Sequence, residues 1–360
     1  MQGSYQVTIV WWRVRSIFGD VSVLKFSTNM QNLREKYDGR NVLITGGLGF
    51  LGSNIAHRLV EYGASVTLLD ALLPLYGGNK FNIHGIEDKV EVIIGDVRDF
   101  RLVEKVIEGK DIVFNLAAQV SYIDSIEIPF EDLDINCKGH LVVLDACRHK
   151  NPDAVIIFPS SRMVLGKILY TPIDENHSTE PLSIYGIHKL TGEKYYLAYH
   201  RTYGQKTVVL RITNPYGIRQ QMKHSKYSLV GWFLRQAIEG KTIQVFGDGK
   251  QLRDYIYVDD IVDAFLRAGI SDKAIGEIYN IGFGKSYQFS DMVETVLKVV
   301  GRGKLEYVPW PKNYEKIETG SFEMSLEKVK MYLGWSPKIE LEEGIRKMFE
   351  YYKEFKQYYW

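Results

Sequence analysis

From Asn41 onward, short β-branched runs alternate with longer segments of helical periodicity. Val42 to Thr45, Ser65 to Leu69, Val90 to Ile94, Ile112 to Leu116, Val155 to Phe158 and Thr207 to Ile212 are nearly continuous apolar stretches, the pattern of strands covered on both faces. Leu51 to Tyr62, Phe130 to Arg148 and Tyr185 to Tyr203 instead gather their apolar residues on one side of a helix. Regular strand-helix alternation predicts an α/β fold with a doubly wound parallel sheet. After Asn214 the alternation loosens into basic and Gly-rich stretches, Arg219 to Lys226 and Gly247 to Arg253, followed by short strands and a last helix from about Leu341. This half reads as a smaller C-terminal α/β unit over the carboxyl edge of the sheet, where open α/β folds bind their ligands.

The first 38 residues do not share this pattern. Val7 to Phe18 is apolar but interrupted by Arg13 and Arg15, without the basic start or small-residue cleavage site of a signal peptide. Met30 stands shortly before the first strand, so residues 1–38 are expected to be an extension outside the fold. Over 360 residues, 45 Lys and Arg face 44 Asp and Glu, a net charge of +1 that argues against a nucleic-acid binder and against a disordered acidic tail. No apolar run approaches the roughly 18 residues of a membrane span. Cys137 and Cys147 fall on one expected helix about 15 Å apart along its axis, too far for a disulfide. A soluble protein of a reducing, cytoplasmic compartment is expected.

Candidate chemistry begins at Thr45-Gly-Gly-Leu-Gly-Phe-Leu-Gly52, between the first strand and the first helix. Gly46, Gly49 and Gly52 permit a tight turn, close approach of backbone to a pyrophosphate, and close packing of helix on strand. The N–H groups of the helix start, at Phe50 and Leu51, then face the anion. Eighteen residues after Gly52 the second strand ends in Asp70, placed to accept hydrogen bonds from a ribose diol. This is the signature of a Rossmann-type dinucleotide domain. No Arg or Lys follows in Ala-Leu-Leu-Pro-Leu-Tyr to hold a 2′-phosphate, which favours NAD over NADP. Gly47 to Ser53 has the glycine spacing of a triphosphate-binding loop, but Ser53 occupies the place of the required lysine. His-Glu-x-x-His, Cys-x-x-Cys and Gly-x-Ser-x-Gly are all missing and the eight histidines are scattered, so no metal site is expected.

Tyr185-Gly-Ile-His-Lys189 opens an expected helix, and a spacing of four puts phenol and ammonium on one face. A phenol titrates near ~10, so service as a base near neutrality needs a lowering of about 3 pH units, roughly 4 kcal/mol. A nearby cation supplies part of that. Alone, this spacing is common on helix surfaces. It gains weight from Ser161, which ends the strand Ile156-Ile-Phe-Pro-Ser-Ser161 and brings a hydroxyl to the same sheet edge.

With these three features in one chain, the sequence resembles the extended short-chain dehydrogenase/reductase family, in particular its NAD-dependent nucleotide-sugar epimerases and dehydratases. The resemblance covers about residues 40 to 350. It is also carried by Gly95-Asp-Val-Arg-Asp99, Leu116-Ala-Ala-Gln119, Asn214-Pro-Tyr-Gly217, Phe246-Gly-Asp-Gly249, Arg253-Asp-Tyr-Ile-Tyr-Val-Asp-Asp260 and Leu333-Gly-Trp335. It implies that Asp96 and Val97 hold the adenine, that Leu116, Ala117, Ala118 and Gln119 line the cofactor, and that Asn136 is the buried helix asparagine of the family. Lys189 would bond the nicotinamide ribose as well as polarise Tyr185. Asn214 and Arg253 would hold the sugar diphosphate and Phe246 would stack on the base, with Arg219, Lys223, His224 and Lys226 adding to the field.

The implied organisation is an NAD domain over 39–213 with a return segment around 257–283, a nucleotide-sugar domain over 214–350, and a tail over 351–360. The implied activity is that of a nucleotide-sugar epimerase, foremost a UDP-hexose 4-epimerase that passes through a ketosugar. A CDP- or GDP-sugar 2-epimerase and a dehydratase, reductase or decarboxylase are the alternatives. A non-enzymatic NAD sensor would not need Tyr185, Lys189 and Ser161. The partner is then a nucleotide-diphosphate sugar, and the resemblance further implies a homodimer through the helices at Phe130 to Arg148 and Tyr185 to Tyr203.

Departures from the family pattern matter as well. Leu165 replaces a usual Tyr, and Asn115 a frequent His. Arg162-Met163 stands where related 4,6-dehydratases carry an Asp-Glu pair, which argues against elimination of water, since that step needs the acid. Glu318-Thr-Gly-Ser321, with Lys312 and Lys316 nearby, replaces a more usual Gly-Asp and its Arg, leaving the phosphate contacts there open.

Overall fold

A computed structural model of the chain describes residues 33–74, 76–310 and 320–360. The first six strands are β1 (Asn41–Thr45), β2 (Ser65–Asp70), β3 (Val90–Ile94), β4 (Ile112–Asn115), β5 (Val155–Ser161) and β6 (Lys206–Ile212). They are followed by β7 (Asn214–Tyr216), β8 (Thr242–Phe246), β9 (Leu252–Tyr257), β10 (Ile278–Ile281), β11 (Ser286–Gln288) and β12 (Lys304–Val308). Seven of them form one sheet in the order β10-β6-β5-β4-β1-β2-β3, all pairings parallel. Because successive residues of a strand face opposite sides, Val42, Ile44, Phe114 and Ile157 enter one core and Leu43, Val113, Ile156 and Phe158 the other. That double burial is why these strands read as unbroken apolar runs. β3 differs: as the outer strand it leaves Val92 and Ile94 exposed.

The strand order reverses between β1 and β4, and the crevice over their carboxyl ends is where such sheets bind ligands. Helix α1 (Phe50–Glu61) follows β1 directly. The segment expected as one helix over 130–148 is α2 (Pro129–Leu133), a π-helical turn (Asp134–Lys138) and α3 (Gly139–Lys150). Such π turns often mark functional sites, and this one carries Asn136. Helix α4 (Ile184–Tyr203) starts with Ser183 as its cap, whose hydroxyl accepts from the Gly186 amide, and ends at Gly204 in the left-handed region.

Residues 214–360 add a β11-β9-β7 sheet and a β12-β8 pair. The acids of the Arg253 to Asp260 motif act as pins here. Asp254 accepts from the amides of Phe283 and Gly284, and burial pushes its carboxyl up to about 6. Asp260 accepts from the amides of Lys338 and Ile339. Residues 257–283 return to the first sheet, giving α5 (Val258–Gly269) and edge strand β10.

Both expected ends need correction. Within the supposed extension, Leu33 and Tyr37 are buried, and the Tyr37 hydroxyl donates to the Leu266 carbonyl at 2.8 Å; residues 1–32 lie outside those described. The supposed tail 351–360 completes helix α6 (Leu341–Phe355) and docks on the loop after β2. There Tyr358 stacks on Phe81 with 3.7 Å between ring centres, and the buried Tyr359 hydroxyl donates to Asn82 Oδ1 at 2.7 Å. Isolated aromatics at a chain end gave no periodic signal, whereas their partners lie some 280 residues away. Among the described residues no helix is long and apolar enough to cross a membrane, and no group of three or more His, Cys, Asp or Glu could hold a metal. Cys137 and Cys147 are free and buried.

Candidate active site

One cavity of about 700 Å³ runs along the carboxyl ends of the strands, beneath residues of the second unit. Of the twenty-three residues given a role in the sequence, all but Gln119, Asn136, Arg219, Lys223 and His224 line it.

At one end lies the glycine turn. Gly46 has φ +65°, and a Cβ there would sit 2.9 Å from the Ala117 nitrogen; one on Gly52 would meet the Gly46 carbonyl oxygen at 2.3 Å. Gly49 caps α1 without a side-chain hydrogen bond, and the first turn holds no acid, so the helix start offers its amides and positive dipole to an anion. The Asp70 carboxylate is fixed by the amides of Leu48 at 3.0 Å and Leu72 at 2.8 Å. Burial pushes it above the usual carboxylate range while these bonds pull it back. Asp96 is gripped by Arg98 through Nε and Nη2, which holds its carboxyl low against partial burial. An uncapped helix start, a backbone cradle that any Cβ would fill, and a fixed acid with no base beside it fit a dinucleotide of the NAD type.

At the end of β5 stand Ser160 and Ser161. Ser160 donates to Glu193 Oε1 at 2.5 Å, and Glu193 is held by Arg211 through Nε and Nη2, both at 2.8 Å. This buried pair ties α4 to β6 just behind the serines. Tyr185 and Lys189, one turn apart on α4, line the same cavity. The Tyr185 amide donates to Ser125 Oγ at 3.1 Å, and Lys189 Nζ donates to the Pro159 carbonyl at 3.2 Å. Lys189 Nζ lies 5.8 Å from the centre of the Tyr185 ring.

The protein's own groups do not make Tyr185 acidic, contrary to expectation. Burial pushes the phenol well above 10, and the opposing effects come from hydrogen bonding with Ser161 and from the Arg162 charge rather than from Lys189. Lys189 is itself lowered to about 8 by burial, with Asp132 and Cys137 acting against this.

Five of the expected contacts lie off the cavity. Arg219, in the left-handed region at φ +66°, donates to Asn54 Oδ1 at 2.8 Å and lies over the Tyr351 ring, so it braces α1 against α6 rather than reaching the cavity. Gln119 and Asn136 sit behind the wall. Asn136 Nδ2 donates to the Gln119 carbonyl at 2.8 Å, and Gln119 Nε2 to the buried Asp132 at 2.7 Å, which also contacts His188. Asn115 likewise faces away, accepting from Thr45 at 2.6 Å and donating to Tyr196 at 2.7 Å. Leu165 is buried in the core. Of the basic run, Lys226 lines the cavity and pairs with Asp124, while Lys223 and His224 do not line it.

On the second unit, Asn214 Nδ2 donates to the Asp254 carbonyl at 2.8 Å and Arg253 Nη1 to the Gly320 carbonyl at 3.1 Å. Phe246 lies 5.8 Å from Trp310. Trp310 was not expected; its only sequence signal was an aromatic residue just past the end of a strand. Arg162 was read only as a missing acid, yet it too lines the cavity. Lys312, Lys316 and Glu318 lie outside the described residues.

A parallel sheet in this order, with a glycine turn, an acid ending β2 and a Tyr-Lys-Ser group on one cavity, is that of an extended short-chain dehydrogenase/reductase. The sequence model of the NAD dependent epimerase/dehydratase family matches residues 42–282, and the chain belongs to that family. It is 35% identical over 314 residues to a putative UDP-glucose 4-epimerase of Methanocaldococcus jannaschii, covering 87% of this chain and 98% of the relative. Among solved structures it is similar to an epimerase of Methanothermobacter thermautotrophicus, with TM-score 0.85 and 28% identity over 92% of this chain and 97% of the other. It is also similar to the UDP-glucose 4-epimerase of Thermotoga maritima with UDP-glucose, with TM-score 0.81 and 31% identity over 88% and 99%.

Proposed function

We propose that the protein is an NAD-dependent UDP-hexose 4-epimerase. The observation that carries this reading is the convergence of Tyr185, Lys189 and Ser161 with the glycine turn and Asp70 on one continuous cavity. When bound, NAD supplies a positively charged ring that takes up a hydride and returns it. Phe50 and Leu51 amides hold its pyrophosphate, Asp70 a ribose diol, Asp96 and Val97 the adenine, Leu116 to Ala118 the wall beside it, and Lys189 the second ribose. Asn136 acts indirectly, by holding the Gln119 carbonyl that ends this wall.

Tyr185 takes the proton of the sugar hydroxyl and later gives it back, while Ser161 hydrogen-bonds the oxygen as it becomes a ketone. Asn214 and Arg253 grip the diphosphate and Phe246 with Trp310 flanks the base, so the sugar can turn over while the nucleotide stays anchored. The only carboxylates lining the cavity among the described residues are Asp70 and Asp96, at the ends of β2 and β3. Among the described residues no acid lines the cavity beside Ser161, which disfavours a dehydratase.

Ile126, Phe130, Leu133 and Ile187 expose apolar side chains near the start of α4 and on the helices before it. They support a homodimer through this face, and the free buried cysteines are in keeping with a cytoplasmic enzyme. Incubating purified protein and NAD with UDP-, GDP- and CDP-sugars, with chromatography of the products, tests the activity. Interconversion of UDP-glucose and UDP-galactose without net redox change is expected. Failure to epimerise any of them, or a net change in NAD redox state, overturns the reading.

A further inference from the structure

We propose that Tyr76 and Tyr227 form a clasp between the two halves of the chain that locks NAD into its site, so that the cofactor is retained from one turnover to the next. Both side chains line the cavity, and their rings stack with centres 6.4 Å apart and planes 23° from parallel. Tyr76 belongs to the first half, on the loop after β2. Its neighbours turn back onto the dinucleotide cradle: a Cβ on Gly78 would lie 3.0 Å from Asp70 Oδ1, and the Asn79 amide donates to the Leu48 carbonyl at 3.0 Å. Tyr227 belongs to the second half, on a segment anchored at both ends. The Gln220 amide donates to the Tyr352 hydroxyl at 2.8 Å, and Ser228 caps the helix Leu229–Ile238 by accepting from the Gly231 amide at 3.0 Å. Between those anchors the chain reaches across to the first half, where Lys226 pairs with Asp124 and lies 3.5 Å from Glu127.

The same two rings stand against the helical residues 122–133. Burial raises both phenols above the ordinary tyrosine value, and the charges of Asp124 and Glu131 add to it. The loop that leaves Asp70, the residues before the π turn and the segment after β7 thus converge across the cavity that the glycine turn lines. A dinucleotide seated between Gly49 and Asp70 leaves when that convergence opens, and its release follows the frequency of opening. The reaction proposed above gives this a purpose: the hydride taken from the sugar has to be returned by the same cofactor molecule, and losing that molecule between the two transfers would leave the sugar oxidised. The clasp itself rests on the cofactor site of that reading and not on the identity of the sugar.

Exchange of the cofactor tests this without any sugar. Protein loaded with radiolabelled NAD would be chased with excess unlabelled NAD, and the retained label followed through gel filtration, for the native protein, Tyr76→Ala, Tyr227→Ala, the double variant and Tyr76→Phe. Both tyrosines are only partly buried, so truncating them leaves the core intact. Each alanine variant should release NAD about five- to tenfold faster, the scale of one lost aromatic pair. The double variant should fall within about twofold of either single, because a shared contact is broken only once. Tyr76→Phe keeps the ring and should stay within about twofold of the native rate. Unchanged release in both single variants overturns the proposal, and so does a double variant whose effect is the product of the singles, which assigns the rings to separate local contacts. Release accelerated as much by Tyr76→Phe as by Tyr76→Ala also overturns it, since the hydroxyl and not the stack then does the holding. A native protein that takes up no labelled NAD overturns the clasp together with the cofactor site. Coupled retention without epimerisation of any nucleotide sugar sustains the clasp and rejects the epimerase reading.

Discussion

Tyr185 and Lys189 are both buried, and burial moves their proton affinities in opposite directions, the phenol up and the amine down to about 8. Desolvation penalises whichever form is charged, so neither is prepared for proton transfer by the fold alone. Tyr185→Phe removes the transferable proton and leaves the glycine turn intact. Turnover should fall by about 10²- to 10⁴-fold or more with NAD still bound, measured by product formation beside the cofactor content of the purified variant. Lys189→Met removes a buried cation and should stabilise the cofactor-free protein near neutral pH by about 2 kcal/mol while abolishing turnover. The sign follows from the lowered amine. The unfolded chain binds the proton more tightly, so the penalty is fully present below pH 8 and fades as pH rises from there toward the ordinary lysine value. Urea melts of the two proteins at pH 7 and pH 10 should therefore differ more at the lower pH.

At the level of elements, the junction of β1 and α1 is built by contact of backbone with backbone. A Cβ on Gly52 would lie 2.3 Å from the Gly46 carbonyl oxygen, and neither side can yield without opening the turn. Gly52→Ala should cost about 2 kcal/mol or more and also release NAD, seen as a lower melting temperature and loss of cofactor through gel filtration. The π turn at Asn136 was hidden in the sequence for a related reason. A helix with one extra residue in a turn keeps its amphipathic appearance on either side, and the register shift shows only in the backbone, where the Gly139 amide donates to the Asp134 carbonyl five residues back. Arg219 was misjudged because a charged residue in a basic run carries no signal of which way it turns; a left-handed backbone and Asn54 decide that.

For the molecule as a whole, the last ten residues join the two halves. Tyr352 from α6 accepts from the Gln220 amide at 2.8 Å, and Tyr359 reaches Asn82 on the cofactor-side loop. Tyr359→Ala should cost about 3 kcal/mol in urea unfolding, where an unpacked tail would show no change. The parallel sheet and most of the lining of the cavity at its carboxyl edge were legible in the chain because they depend on short-range regularities: unbroken apolar runs, glycines at fixed spacing, an acid at a strand end, four residues between phenol and amine. The protonation of that phenol, the direction of Arg219, the place of Arg162 in the cavity wall, and the packing of Tyr352 and Tyr359 across the two halves were decided only by tertiary structure. Each depends on burial or on a partner distant in sequence, and desolvation and contact across the fold leave no trace in the order of neighbouring residues.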